Sequence, residues 1–311
     1  MRVSGLGRAL ALLRSRLLGA VTLPALIGAA WAWRAGAFGA GGTGGGRADA
    51  PALVRLLIAL AGLAAVELMN LFGADYVWHL RGRRPAGGRP TASGRPGAAG
   101  QGGSLGPVLP GNPVVSPRRL PPAAIPGVLL GLAAAGAAAL LYFVLTVGAG
   151  VLAFLLPAAA VGVLYVFSPF PYAFLATALV PPLVAGGVAF VLLGHAAPGA
   201  FLSALPVSLV SAGVILTYQV AYREKRPPAL WVRLLAVLLP YVLADVAVAL
   251  LLLARLYPRG GFCALLPAVV FPGWAARLLL TQKRDPVPAT AVGVFLHSSL
   301  ALAIAAGLLL G

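Results

Sequence analysis

The stretch that decides the fold is "PALVRLLIALAGLAAVELMNLFGADYVWHLRG", Pro51 to Gly82. Its first part is apolar as far as Gly73, apart from Arg55, Glu67 and Asn70, and long enough to cross a bilayer, which takes about 20 residues. Its last part gathers polar groups: Glu67, Asn70, Asp75, His79 and Arg81. The chain has 311 residues and only six Asp and Glu. Two of the six therefore sit within one short stretch at the end of an apolar run.

The rest of the chain reads the same way. It is 60% hydrophobic and 9% charged. A soluble domain carries about a quarter charged residues, so this composition points to an all-α, polytopic membrane protein. Nine spans are expected, roughly Leu17–Trp33, Pro51–Gly73, Ile125–Val144, Gly150–Phe167, Tyr172–Leu193, Phe201–Gln219, Trp231–Leu253, Phe262–Leu280 and Ala289–Leu310. Gly, Pro or charge bounds each one. "VLTVGAG" is a short turn, but Ile125–Phe167 is too long for a single span and is split there.

The net charge of +17 does not imply nucleic acid here, because basic residues in membrane proteins mark cytoplasmic loops. With the N-terminus in the cytoplasm and the C-terminus outside, 18 of the 23 Lys and Arg fall inside. The expected location is the cell (inner or plasma) membrane. Arg2, Arg8, Arg14 and Arg16 precede the first span as in a signal peptide, but no cleavage-type ending follows, so a retained helix is expected. The whole chain reads as one domain, 1–311. A Gly/Pro/Arg-rich cytoplasmic loop at about 79–120 is too poor in apolar residues to build a core. The single Cys263 excludes an intrachain disulfide and a thiolate metal cluster. Neither a nucleophile elbow nor a P-loop occurs.

Ionisable residues inside spans cost energy and mark cavities or partners. Glu67, Asn70, Ala74 and Trp78 are spaced by three, four and four, which puts them on one helical face. Asp75 is either part of a polar cavity wall or a cap on the helix end near Arg81. At the next cytoplasmic boundary, Tyr218 and Gln219 precede Arg223, Glu224, Lys225 and Arg226. These bases are either anchors or a phosphate clamp. Asp245 lies in the middle of span seven, with His297 in span nine as a possible partner. A transporter built on Asp245 and Glu67 is a further reading, though no pair of broken helices supports it.

Several segments resemble the UbiA-type membrane prenyltransferases, most closely the dihydroxynaphthoate polyprenyltransferases of menaquinone biosynthesis. "RSRLLGAVTLPALIGAAWAWRAGAF" resembles that family's first helix. "NLFGADYVWHLRG" resembles its first aspartate-rich stretch, Asn-Asp-Tyr-x-Asp-x-x-x-Gly. "NPVVSPRRL", "VFSPFPYAFLATALV" and "FLHSSLALAIAAGLLLG" resemble the entry to the third helix, the region before the fifth, and the last helix. "LPVSLVSAGVILTYQVAYREKRPPALWVRL" is similar to the sixth helix and second aspartate motif.

The resemblance implies nine helices around a central cavity. It also implies transfer of a polyprenyl group from an isoprenoid diphosphate to an aromatic (quinone-precursor) or lipid acceptor within the bilayer. It implies Mg²⁺ on Asp75 and Glu224, and diphosphate on Arg81, Arg223, Lys225 and Arg226. Glu67, Asn70, Tyr76, Tyr218, Gln219, Asp245 and His297 would be polar groups of the cavity. The chain departs from the pattern at Ala74, which stands on the motif's Asn, and at Trp78, which stands on its second Asp. In the second motif the aspartate positions fall near Ala221 and Lys225. These losses point to the alternative, a catalytically inactive relative that binds prenyl lipid or a partner protein.

Overall fold

The computed structural model describes residues 22–38, 50–82, 122–167, 173–222, 229–258 and 286–310, with single positions between 264 and 277. Every regular element among the described residues is helical. We label the α-helices α1 (Thr22–Arg34), α2 (Ala50–Gly82), α3 (Ile125–Thr146), α4 (Leu152–Phe167), α5 (Ala173–Leu193), α6 (Pro198–Ser203), α7 (Leu205–Tyr222), α8 (Leu230–Leu253) and α9 (Pro286–Leu310). Short 3₁₀ turns, Pro122–Ala124 and Ala149–Val151, precede α3 and α4.

Helices occupy each expected span except Phe262–Leu280, most of which lies outside the described residues. Among the described residues, four segments are long and apolar enough to cross a membrane: Pro51–Asn70, Ile125–Thr146, Pro198–Leu216 and Leu230–Leu253. The break between α3 and α4 falls where "VLTVGAG" predicts it. Gly148 there has φ of 113°, a backbone that a side chain would strain.

Four helices form a closed ring of neighbours. α1 packs on α5, α5 on α7, α7 on α9, and α9 back on α1. α2 and α4 lie against α5, α3 lies against α2, and α8 against α7. Small residues allow the ring. Ala25, Ala30 and Ala32 of α1 are buried. A Cβ on Gly28 would run into the backbone of Ala185 on α5, so only glycine permits this close crossing. Peripheral helices show the opposite pattern. Only 6% of the apolar window of α3 is buried, against 61% for Pro198–Leu216. Leu130, Leu141 and Leu145 of α3 are exposed, a surface suited to a hydrocarbon solvent and costly in water.

Prolines inside helices leave carbonyls without donors. Pro181 and Pro182 lie within α5. The N–H that Pro182 lacks would have served the carbonyl of Ala178, and the Ser208 hydroxyl of α7 donates to that carbonyl instead. At the other end of the ring, the turn after α8 is pinned twice. Arg34 Nη1 donates to the Leu256 carbonyl at 3.1 Å, and the buried Tyr257 hydroxyl donates to the Ser203 carbonyl at 2.6 Å.

Candidate functional site

α2 differs from the span expected over Pro51–Gly73. It runs for 33 residues, about 50 Å at 1.5 Å per residue, well beyond a hydrocarbon core of about 30 Å. Asp75 therefore stands inside the helix, not at its end, and the reading of Asp75 as a cap is wrong. The loop expected from about residue 79 starts later, since residues 79–82 are still helical. The physical reason is that leaving hydrocarbon does not end a helix. Between Asp75 and Gly82 no proline or helix-stop signal intervenes, and water tolerates the charged residues.

One continuous helix gives Glu67 and Asn70 a common side. Leu56, Leu60 and Leu63 pack against the buried cluster built from α1, α5 and neighbouring helices. Glu67 and Asn70 follow at spacings of four and three, so they continue this inward-facing stripe where the apolar packing ends. Glu67 is half-buried, and its Oε2 is buried with no hydrogen-bond partner among the described residues. Tyr76 is half-buried as well. Asp75 and Arg81 lie on the same helix, with side chains outside the described residues.

A second polar element lies between α7 and α9. Ser211 Oγ and His297 Nδ1 are 2.6 Å apart, and Ser211 Oγ also reaches the Val207 carbonyl at 2.7 Å. With its single proton on that carbonyl, the hydroxyl accepts from the Nδ1–H of His297. His297 is buried and belongs to the α7 contact, not to a pair with Asp245. The reason is architectural. α7 separates α8 from α9, packing on both, and Asp245 Oδ1 on α8 is buried with no hydrogen-bond partner among the described residues. Ser211 was not singled out in the sequence; a hydroxyl at mid-span, three residues from Ser208, is the signal that marks it.

The remaining candidates are placed only by the backbone or not at all. Tyr218 and Gln219 are in the last turns of α7, which ends at Tyr222, and their side chains lie outside the described residues. Arg223, Glu224, Lys225 and Arg226 lie outside them entirely. Among the described residues no cluster of three or more His, Cys, Asp or Glu forms a metal cage. A groove of about 310 Å³ runs between α2 and α3, lined by Ile58, Ala61, Gly62, Ala135, Ala138, Ala139 and Tyr142. It is apolar and includes none of the polar residues expected to line a cavity.

No protein-family description matches the chain, and no curated protein or solved structure is significantly similar to it.

Proposed function

We propose that this chain is a nine-span membrane prenyltransferase, N-terminus inside and C-terminus outside. It would move a polyprenyl group from an isoprenoid diphosphate to an aromatic or lipid acceptor. One observation supports the reading above the others: α2 and α7, which carry the two motif-like stretches, both pack against α5. Each runs on to its motif, α2 through Asp75 to Gly82 and α7 to Tyr222, directly before Arg223. Flanking a common helix, two such stretches can serve one diphosphate.

In this reading Asp75 and Glu224 hold Mg²⁺ together with the diphosphate oxygens. Mg²⁺ commonly takes one or two carboxylates plus substrate phosphates, so this donor set is at the low end of what the ion accepts. Arg81, Arg223, Lys225 and Arg226 supply further neutralisation. The apolar helices shelter the isoprenoid and exclude water from an allylic cation. The missing carboxylates at Trp78 and Lys225 favour a second reading, a relative that binds prenyl diphosphate by its bases and has lost the chemistry.

Binding of a non-hydrolysable farnesyl diphosphate analogue to nanodisc-embedded protein tests the proposal. Mg²⁺-dependent binding that Asp75→Asn abolishes supports the enzyme. Binding indifferent to Mg²⁺ and to Asp75 supports the second reading, and absence of binding rejects both.

A further inference from the structure

Turns that close helices in this chain use glycine, with one exception. Among the described residues, Gly36 after α1, Gly148 after α3 and Gly194 after α5 take a positive φ. After α8 the same role falls to Arg255, at φ of 57°. Its N–H donates to the Leu252 carbonyl and the Leu256 N–H to the Leu251 carbonyl, at 3.0 Å each. This pair of bonds closes a helix over a left-handed residue, a position that glycine fills without steric cost. An arginine there strains its backbone. In a chain with 40 glycines, an arginine at this one turn points to a use for its side chain.

Arg255 shares the turn with a second cation. Arg34, at the end of α1, donates from Nη1 to the Leu256 carbonyl at 3.1 Å. Its guanidinium also lies over the Trp31 ring, 6.0 Å from the centroid, so it is held from two sides. Both arginines are exposed. The acids with described side chains are remote. Asp245 stands ten residues before Arg255, about 15 Å along α8. Glu67 stands fifteen residues beyond Ala52, about 22 Å along α2, and Ala52 packs with Ala32 and Phe38 at this end of the bundle. Complementing the negative end of α8 does not account for the pair. Arg34 already does so, and a cation anywhere in the last turn would do so without a left-handed backbone. Two guanidinium groups beside one turn repel each other unless an anion joins them.

The surroundings indicate which anion. Leu253, two residues before Arg255, is 80% exposed, and Trp33, next to Arg34, is 41% exposed. An exposed leucine suits hydrocarbon, whereas arginine and tryptophan gather at the level of the headgroups. The two arginines therefore stand where lipid phosphates do, and the guanidinium fork matches a phosphate with paired donors. Arg34 commits a single donor to Leu256 and keeps the rest of its fork for a ligand.

We infer that Arg34 and Arg255 form a seat for the phosphate of an anionic lipid headgroup, at the end of the bundle opposite Asp75. The seat is independent of the prenyl-transfer reading, whose Asp75 lies about 35 Å along α2 from Ala52.

The test uses the delipidated full-length chain in a neutral detergent. Binding of phosphatidylglycerol with a fluorescent acyl chain is read by anisotropy, with zwitterionic phosphatidylcholine of the same chains as control. Wild type should prefer phosphatidylglycerol by about 25-fold, about five-fold for each arginine. Arg255→Gly should reduce that preference about five-fold, and Arg255→Lys should keep most of it. Glycine suits the turn, so Arg255→Gly should melt no lower than wild type without lipid, which separates loss of the seat from loss of the fold. A wild type without the preference, a folded Arg255→Gly that keeps it, or an Arg255→Gly that melts lower than wild type overturns the inference. Soluble dihexanoyl phosphatidylglycerol and inorganic phosphate, at matched ionic strength, are then compared as competitors. Displacement by the soluble lipid alone supports the lipid seat. Equal displacement by inorganic phosphate shows a site for a free anion and overturns the lipid assignment.

Discussion

The Ser208 hydroxyl donates to the carbonyl of Ala178, the carbonyl that Pro182 four residues later leaves without a helical donor. Pro181 and Pro182 would otherwise open α5 where its buried length begins among the described residues. Within hydrocarbon no water can fill the vacancy, so a neighbouring side chain must. Ser208 does this from α7, and the same bond ties α5 to α7 within the central ring.

The arrangement predicts a dependence between two sites. Ser208→Ala should destabilise the fold by about 1 kcal/mol, the cost of leaving a buried carbonyl unpaired. In a Pro182→Ala background residue 182 regains its N–H, the carbonyl is satisfied within α5, and the same Ser208→Ala change should cost markedly less. Unfolding of the four proteins in mixed detergent closes the cycle. Equal costs in both backgrounds would show that Ser208 does not act through the proline.

The Tyr257 hydroxyl gives a pH-dependent counterpart. It lies beyond the end of α8, is buried, and donates to the Ser203 carbonyl at the end of α6. Burial pushes its ionisation upward from the ordinary tyrosine value. In the unfolded chain the hydroxyl loses its proton near about pH 10, whereas in the folded chain it keeps it. The folded pKa is raised, so the stabilisation is complete below about pH 10 and declines above it. Thermal melts should show wild type losing stability faster than Tyr257→Phe as the pH passes about 10. At neutral pH Tyr257→Phe should be the less stable by about 1 kcal/mol, because the Ser203 carbonyl then has no donor. Parallel pH curves for the two proteins would exclude Tyr257 as the cause.

How much of this was legible in the sequence differs by residue. The division of Ile125–Phe167 within "VLTVGAG" was, because the whole stretch is too long for a single span. The continuation of α2 through Asp75 was not. Hydropathy reports where apolar character stops, and a helix stops only where its backbone bonds do. The spacing of Glu67, Asn70, Ala74 and Trp78 along one helical face depends on the helix alone, and the helix runs through all four positions. The direction of the face was not legible, since it depends on the packing of Leu56, Leu60 and Leu63 against α1 and α5. His297 was set beside Asp245 because both are ionisable and mid-span. Ring order decides otherwise, and a single sequence contains no record of which helices are neighbours.

Adding the carboxylates that the resembled motifs carry offers the sharpest prediction about the candidate site. Asp75 and Trp78 are three residues apart on a helix that is continuous to Gly82, so the two positions fall on one helical face, one turn apart. An aspartate at 78 would therefore stand beside Asp75 within reach of one ion. Lys225 puts a positive charge where the resembled motif has a carboxylate, which opposes a divalent cation. Trp78→Asp should raise the Mg²⁺ affinity of farnesyl diphosphate analogue binding by about ten-fold, since a further hard oxygen ligand joins a donor set at the low end for this ion. Lys225→Asp should act in the same direction, by replacing repulsion with attraction. The double variant should bind Mg²⁺ more tightly than either alone if both stretches face one diphosphate. The check is a Mg²⁺ titration of analogue binding in nanodiscs, with Asp75→Asn added to the double variant. If Asp75→Asn then returns the Mg²⁺ requirement to the wild-type level or weaker, the three carboxylates share one ion. If neither substitution moves the Mg²⁺ midpoint, the two stretches do not form a metal site, and the bases alone would have to hold the phosphate.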